Sequence, residues 1–147
     1  MKLLLQESKL KRHETKKIIR VIYSSFCKFN FGDASQEHIE KVERLYGKQR
    51  DIAKARRQLE KSEIIITAKI KNKICGVIRG RKEYIRSLYV IEGFHKFGIG
   101  SKLLLAFEKK TRQIGGKKIR LKSSPYAEHF YKKRWFVQQG IMLEKQL

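Results

Sequence analysis

A β-branched run, Ser87-Leu88-Tyr89-Val90-Ile91, passes through Glu92-Gly93-Phe94-His95-Lys96-Phe97 into Gly98-Ile99-Gly100, and from there directly into Ser101-Lys102-Leu103-Leu104. The pattern predicts a strand, a glycine-bearing turn and an amphipathic helix in immediate succession. A helix that leaves a strand this way carries the chain back across the sheet, so the next strand, residues 118–122, is expected to lie parallel to the first. Glycines at 98 and 100 let the backbone turn tightly and keep side chains away from the first amides of the helix. Those amides have no intrahelical acceptor and sit at the positive end of the helix dipole, an arrangement suited to holding a pyrophosphate. Two common phosphate motifs do not fit. G-x-G-x-x-G needs glycine where Leu103 stands, and no window supplies G-x-x-x-x-G-K-[ST].

The remaining periodicities build a domain around this unit. Ile64, Ile66, Ala68 and Ile70 alternate with Ile65, Thr67 and Lys69, a strand pattern. Lys71-Asn72-Lys73 turns into a second strand over residues 74–78, and Gly80-Arg81-Lys82 into a third over 84–90, giving an antiparallel meander. After the glycine turn, Ile99, Leu103, Phe107 and Ile114 share one helix face, and Gly115-Gly116 ends it. A short helix carrying Phe130 and Tyr131 follows the 118–122 strand, and residues 137–144 read as a last strand. At the other end, residues 2–5 supply a first strand. From Thr15 as N-cap, Ile18, Ile22, Phe26 and Phe29 recur at helical spacing. Asp33 caps a second helical region bearing Ile39, Val42 and Tyr46, with Gly47 before Ile52 and Leu59; one bent helix and two separate helices fit equally.

Two segments carry a family resemblance. Gly98 and Gly100 match both small positions of the acyl-CoA loop of the GNAT superfamily of N-acyltransferases, and Leu88 and Val90 match its "Leu-x-Val" strand. His95 stands where that family has Gln or Arg. Further on, Ala127, Phe130, Tyr131 and Phe136 match the second signature, "Asn-x-x-Ala-x-x-Phe-Tyr-x-x-x-Gly-Phe", with Ser124 in place of Asn and Trp135 in place of Gly. The resemblance covers residues 60–147 well and the earlier ones by element order only. It implies a single α/β (α+β) domain over residues 1–147: a mixed central sheet, antiparallel meander then parallel βαβ at the coenzyme site, flanked by helices.

The resemblance further implies that acetyl-CoA wedges between the strand ending at Val90 and the one beginning at Lys118. Backbone groups of Leu88, Tyr89 and Val90 would take the pantetheine, and amides of Lys96, Phe97, Gly98, Ile99, Gly100 and Ser101 the pyrophosphate. His95 is expected to pack or hydrogen-bond within the loop rather than touch phosphate through charge, and Ser124 to lie beside the cofactor. Tyr131 takes the position that faces the sulfur, where a phenol of pKa about 10 keeps its proton at pH 7. For the base the candidates are Glu83, with Glu92 and ordered water beside it; His129 is expected on the exposed side of its helix.

Composition bounds the rest. There are 36 Lys and Arg against 14 Asp and Glu, a net charge of +22. This is either a field for polyanions, with RNA or ribosome association as the expected consequence, or solvated lysines on every face. Cys27 and Cys75 have neither metal-ligand spacing nor a matching His, so no metal site and no covalent enzyme intermediate are expected. No apolar run approaches a membrane span, the start is too short for a signal peptide's apolar core, and a reducing cytoplasm is the expected setting. The expected activity is direct transfer of acetyl from acetyl-CoA to a primary amine of a protein, small molecule or aminoacyl-tRNA. The alternative is an inactive GNAT-like module binding nucleic acid. Homodimerisation is left open.

Overall fold

The computed structural model describes residues 2–147. Seven strands form one mixed sheet: β1 (Leu3–Glu7), β2 (Ile64–Ile70), β3 (Lys73–Arg81), β4 (Tyr84–Val90), β5 (Lys118–Leu121), β6 (Val137–Gln139) and β7 (Met142–Gln146), in the order β1-β2-β3-β4-β5-β7-β6. Every neighbouring pair is antiparallel except β4 and β5, which are parallel. The connection between those two is α4 (Ile99–Gln113), the expected crossover helix.

Both faces of the sheet are covered. On one, Ile99, Leu103, Leu104 and Phe107 of α4 pack on Ile64, Ile66, Ala68, Cys75 and Ile78, joined by Tyr131 of α5 (Glu128–Lys132). On the other, Ile18, Ile19 and Ile22 of α1 (Arg12–Ser25), Val42 and Tyr46 of α2 (Gln36–Tyr46) and Leu59 of α3 (Ile52–Glu60) pack on Ile65, Ile74 and Val77. Burial on both faces is why β2, and β3 from Ile74 to Ile78, carry apolar residues on both sides.

Several local expectations are corrected. Helix α1 begins at Arg12, so Thr15 lies inside it, its hydroxyl donating to the carbonyls of Leu10 and Lys11 at 3.1 Å. After Ser25 the helix widens into a π-helical stretch, Phe26–Asn30, which withdraws Phe29 from the buried stripe. Asp33 ends a short 3₁₀ turn, and Ser35 is the residue that caps α2, accepting from the His38 amide at 3.1 Å. Gly47 does separate two helices. Ile114 lies at the C-cap of α4, 37% exposed, and Leu104 and Thr111 occupy the buried face instead. Strand β3 runs on to Arg81, and the turn falls at Lys82-Glu83, where Glu83 adopts φ 66°. The last expected strand is a hairpin, turning at Gly140 with φ 61°.

Asp51 caps α3 through two bonds, accepting from the amides of Ala53 (2.9 Å) and Lys54 (3.2 Å). Leu59 and Ala55 of this short helix are fully buried, so fraying its start loosens core packing. Asp51→Ala is expected to lower unfolding stability by about 1 kcal/mol, read from the denaturant midpoint at unchanged m-value.

Candidate acyl-coenzyme site

The parallel pair opens almost as soon as it forms. β4 and β5 share only the registers Tyr84–Arg120 and Ile85–Leu121. Beyond these, residues 86–90 continue β4 while the chain after β5 turns away into the 3₁₀ turn Pro125–Ala127. Backbone groups on this side of β4 therefore have no strand opposite them, which in a β-sheet interior is a place for another extended chain.

At the open end stands the N-terminus of α4. Its N-cap is Gly98, in the left-handed region at φ 68°, and no side chain caps it, in contrast to α2 and α3. The helix ladder starts with the Lys102 amide donating to the Gly98 carbonyl at 3.1 Å, leaving the amides of Ile99, Gly100 and Ser101 without intrahelical acceptors. A Cβ at Gly98 would meet nothing within 4 Å, whereas one at Gly100 would stand 3.3 Å from the Phe130 ring. Gly98 is thus favoured by its backbone angle, while a side chain at Gly100 would press on the Phe130 ring. Lys96 and Phe97 are exposed on the 3₁₀ turn His95–Phe97 that precedes them.

Tyr131 is the buried group beside this opening. It is 4% exposed, in edge-to-face contact with Phe130 (5.1 Å) and Phe136 (5.4 Å). Among the described residues no group hydrogen-bonds its hydroxyl. Burial first, and the neighbouring Tyr89 phenol second, push its pKa well above that of a free tyrosine. Tyr89, on the part of β4 that has β3 but not β5 beside it, is itself pushed up to about 12 by burial.

His95 folds back on the strand it follows. Its Nε2 lies 2.6 Å from the Val90 carbonyl, and its ring is 4.5 Å from that of Phe29. The Phe29 side chain, freed by the π-helical stretch, also stacks on Tyr126 at 5.1 Å. Val90 O further accepts from Ser25 Oγ at 3.4 Å, so among Leu88, Tyr89 and Val90 the last has its carbonyl already engaged.

Glu83 is not brought to this place. It sits at the closed end of the β4–β5 pair, seven residues from Val90, with Oε1 accepting from the Lys117 amide at 2.8 Å. That bond, then Lys118 and Lys82, hold its carboxyl below the usual range, the opposite of what a base requires. Glu92 is spent in an exposed pair with Lys28 at 3.2 Å, and His129 is exposed.

The acetyltransferase (GNAT) domain profile matches residues 32–146. The chain belongs to the GNAT acetyltransferase family. No curated protein sequence matches it. Among solved structures, a GCN5-related N-acetyltransferase from Rhodopseudomonas palustris superposes with a TM-score of 0.83 at 19% identity, covering 100% of this chain and 97% of that one. The PaiA N-acetyltransferase of Thermoplasma acidophilum, in complex with coenzyme A, gives 0.76 at 23% identity with 100% of both chains covered. A GNAT acetyltransferase from Brucella melitensis, in complex with acetyl-CoA, gives 0.69 at 15% identity over 99% and 88%. These likenesses are of fold.

The two departures from the second GNAT signature have local explanations. Ser124 caps the 3₁₀ turn, its hydroxyl accepting from the Ala127 amide at 3.4 Å. Trp135 adopts a left-handed conformation that favours glycine, at φ 74°, and its side chain is 80% exposed, so its bulk goes to solvent.

One neighbour of the loop carries no signal in the sequence. Arg134 lays its guanidinium 3.8 Å over the Phe130 ring and donates from Nε (3.0 Å) and Nη2 to Ser101 Oγ in the first turn of α4. None of the ion pairs among the described residues includes it. A cation at the positive end of a helix is unfavourable by itself and becomes favourable with an anion there. It lies 33 positions from Ser101, and only folding joins them.

Proposed function

We propose that this GNAT protein is an N-acetyltransferase that moves an acetyl group from acetyl-CoA directly to a primary amine. The observation that carries the reading is the uncapped start of α4 set against the opened β4–β5 pair, with the Tyr131 hydroxyl unpartnered beside it. The amides of Ile99, Gly100 and Ser101, with Arg134 behind them, would hold the pyrophosphate. The free edge of β4 at Leu88 and Tyr89 would hold the pantetheine. When bound, acetyl-CoA supplies the acyl thioester.

Tyr131 acts as general acid. As the amine nitrogen bonds to the carbonyl carbon and the carbon–sulfur bond breaks, Tyr131 gives its proton to the departing sulfur and recovers one from solvent. Its raised pKa keeps that proton in place throughout the range in which amines become neutral. Neither Glu83 nor Glu92 is assigned as base; loss of the acceptor's proton to water fits the acid-poor surroundings.

The test is calorimetric titration with acetyl-CoA at about 0.2 M salt, beside ATP as a charge control. Micromolar binding of acetyl-CoA alone is expected. Equal, weak, salt-sensitive binding of both ligands would overturn the reading and leave a polyanion-binding module.

A further inference from the structure

On the α1–α3 face of β3 lies a charge with no counterpart. Arg79 is 6% exposed, yet its guanidinium donates only to two neutral hydroxyls, Ser62 Oγ at 3.3 Å and Tyr46 Oη at 3.4 Å. Its Nε is buried without any partner. None of the ion pairs among the described residues includes Arg79, and the groups whose charges reach it are Tyr46, Tyr89 and a second cation, Arg86. Burial lowers its pKa, as expected for a cation short of acceptors. A buried guanidinium ordinarily has a carboxylate against it, because desolvation is otherwise uncompensated.

The surroundings lead towards the opening in the sheet. Arg79 pairs across the sheet with Ser87 of β4, and the register shifts between Arg79 and Gly80. Gly80 pairs with Ile85, so Arg86 is the extra residue of a bulge, at the point where pairing with β5 stops. Bulges re-aim side chains beside active sites. Here the bulge puts an exposed guanidinium within electrostatic reach of Arg79 and Tyr46. Ser87 Oγ is likewise buried and unpartnered. Tyr89, two residues on, lies within electrostatic reach of both Arg79 and Tyr131.

Resting on the acetyltransferase reading above, we propose that Arg79, Arg86 and Ser87 form an oxyanion subsite and that the acceptor is an amine which itself carries a carboxylate or phosphate. An oxyanion gives the free Arg79 Nε–H and the Ser87 hydroxyl the acceptor each lacks, and it offsets part of the positive charge of the two neighbouring cations. The same cations oppose a second positive charge, so they promote the neutral, nucleophilic form of the amine without a carboxylate base. Amines that are purely cationic find no acidic side chain in this cluster.

The experiment compares matched acceptors at about 0.2 M salt, where the overall charge of the protein is screened. The pairs are L-alanine against L-alaninamide and phosphoethanolamine against ethanolamine, with kcat/KM measured by thiol release. The oxyanion member of at least one pair is expected to be preferred by about 30-fold or more, and which pair responds tells carboxylate from phosphate. In Arg79→Met and in the exposed Arg86→Gln the ratio should fall towards one through KM, with acetyl-CoA binding retained as the check on folding. Equal rates within both pairs would overturn the subsite and leave acetyl transfer standing. If no amine turns over, calorimetry on the CoA-saturated protein decides. Selective binding of an oxyanion member, lost in both variants, would keep the subsite while removing the transfer reading; no selective binding would overturn it.

Discussion

Gly100→Glu is expected to weaken acetyl-CoA binding by at least 100-fold, while the protein folds as before. The carboxylate would stand in the first turn of α4, among the amides proposed to meet the pyrophosphate. Two like charges about 5 Å apart repel by roughly 3 kcal/mol at an effective dielectric of about 20, and a pyrophosphate carries more than one charge. Every 1.4 kcal/mol is about a factor of ten, so even one such contact accounts for the loss. The steric part is smaller. A Cβ here stands 3.3 Å from the edge of Phe130, a half-buried ring that must give by only a few tenths of an ångström. Folding is not expected to suffer, because acidic groups in the first turn of a helix are stabilising by about 0.3–1 kcal/mol and glycine is a poor helix former. Gly100→Ala separates the two contributions: it keeps the contact with Phe130 and omits the charge. Calorimetry on the two variants is the measurement. Retention of full affinity in Gly100→Glu would mean that the start of α4 is not where the phosphates bind.

How this site was legible differs from residue to residue. The glycine turn could be read because its requirement is local: Gly98 is needed for φ 68°, and a strand pattern precedes it while a helix pattern follows. The meander could be read because Ile64 to Ile70 alternate and Lys71-Asn72 is a turn by composition. What escaped depends on distance or on register. Nothing in Phe26–Asn30 distinguishes a π-helical stretch from α-helix, yet that widening sends Phe29 to His95 and Tyr126. Glu83 looked suitable by its position before β4, but its left-handed turn closes the strand pair and commits the carboxylate to the Lys117 amide. Arg79 and Arg134 were hidden by abundance. Among 36 basic residues, a sequence does not tell which are drawn from solvent and placed without acidic partners. Trp135 departs from the signature's glycine in side chain only: the indole is exposed and the backbone takes a left-handed conformation that favours glycine.

Tyr131→Phe isolates the chemical step. The rings of Phe130 and Phe136 hold the residue edge-on at 5.1 and 5.4 Å, and a phenylalanine keeps both contacts. Because no described group bonds the hydroxyl, deleting it leaves no orphaned partner, and stability is expected to change by less than about 0.5 kcal/mol. Acetyl-CoA affinity should also hold, since the sites proposed for the phosphates and pantetheine lie elsewhere. Turnover of a responsive amine, in contrast, should fall by about 10²–10⁴, the usual worth of a positioned general acid. The pH profile adds a second reading. A group with raised pKa keeps its proton up to higher pH, so kcat/KM in the unaltered protein should rise as the amine becomes neutral and show no decline through about pH 10. If Tyr131 had an ordinary pKa near 10, half of it would be deprotonated there and the profile would bend downwards. A drop in kcat with constant affinity for acetyl-CoA, together with the flat alkaline limb, makes Tyr131 the proton donor. Unchanged turnover in Tyr131→Phe would instead leave it an aromatic of the core, with the thiolate departing unassisted or protonated by water.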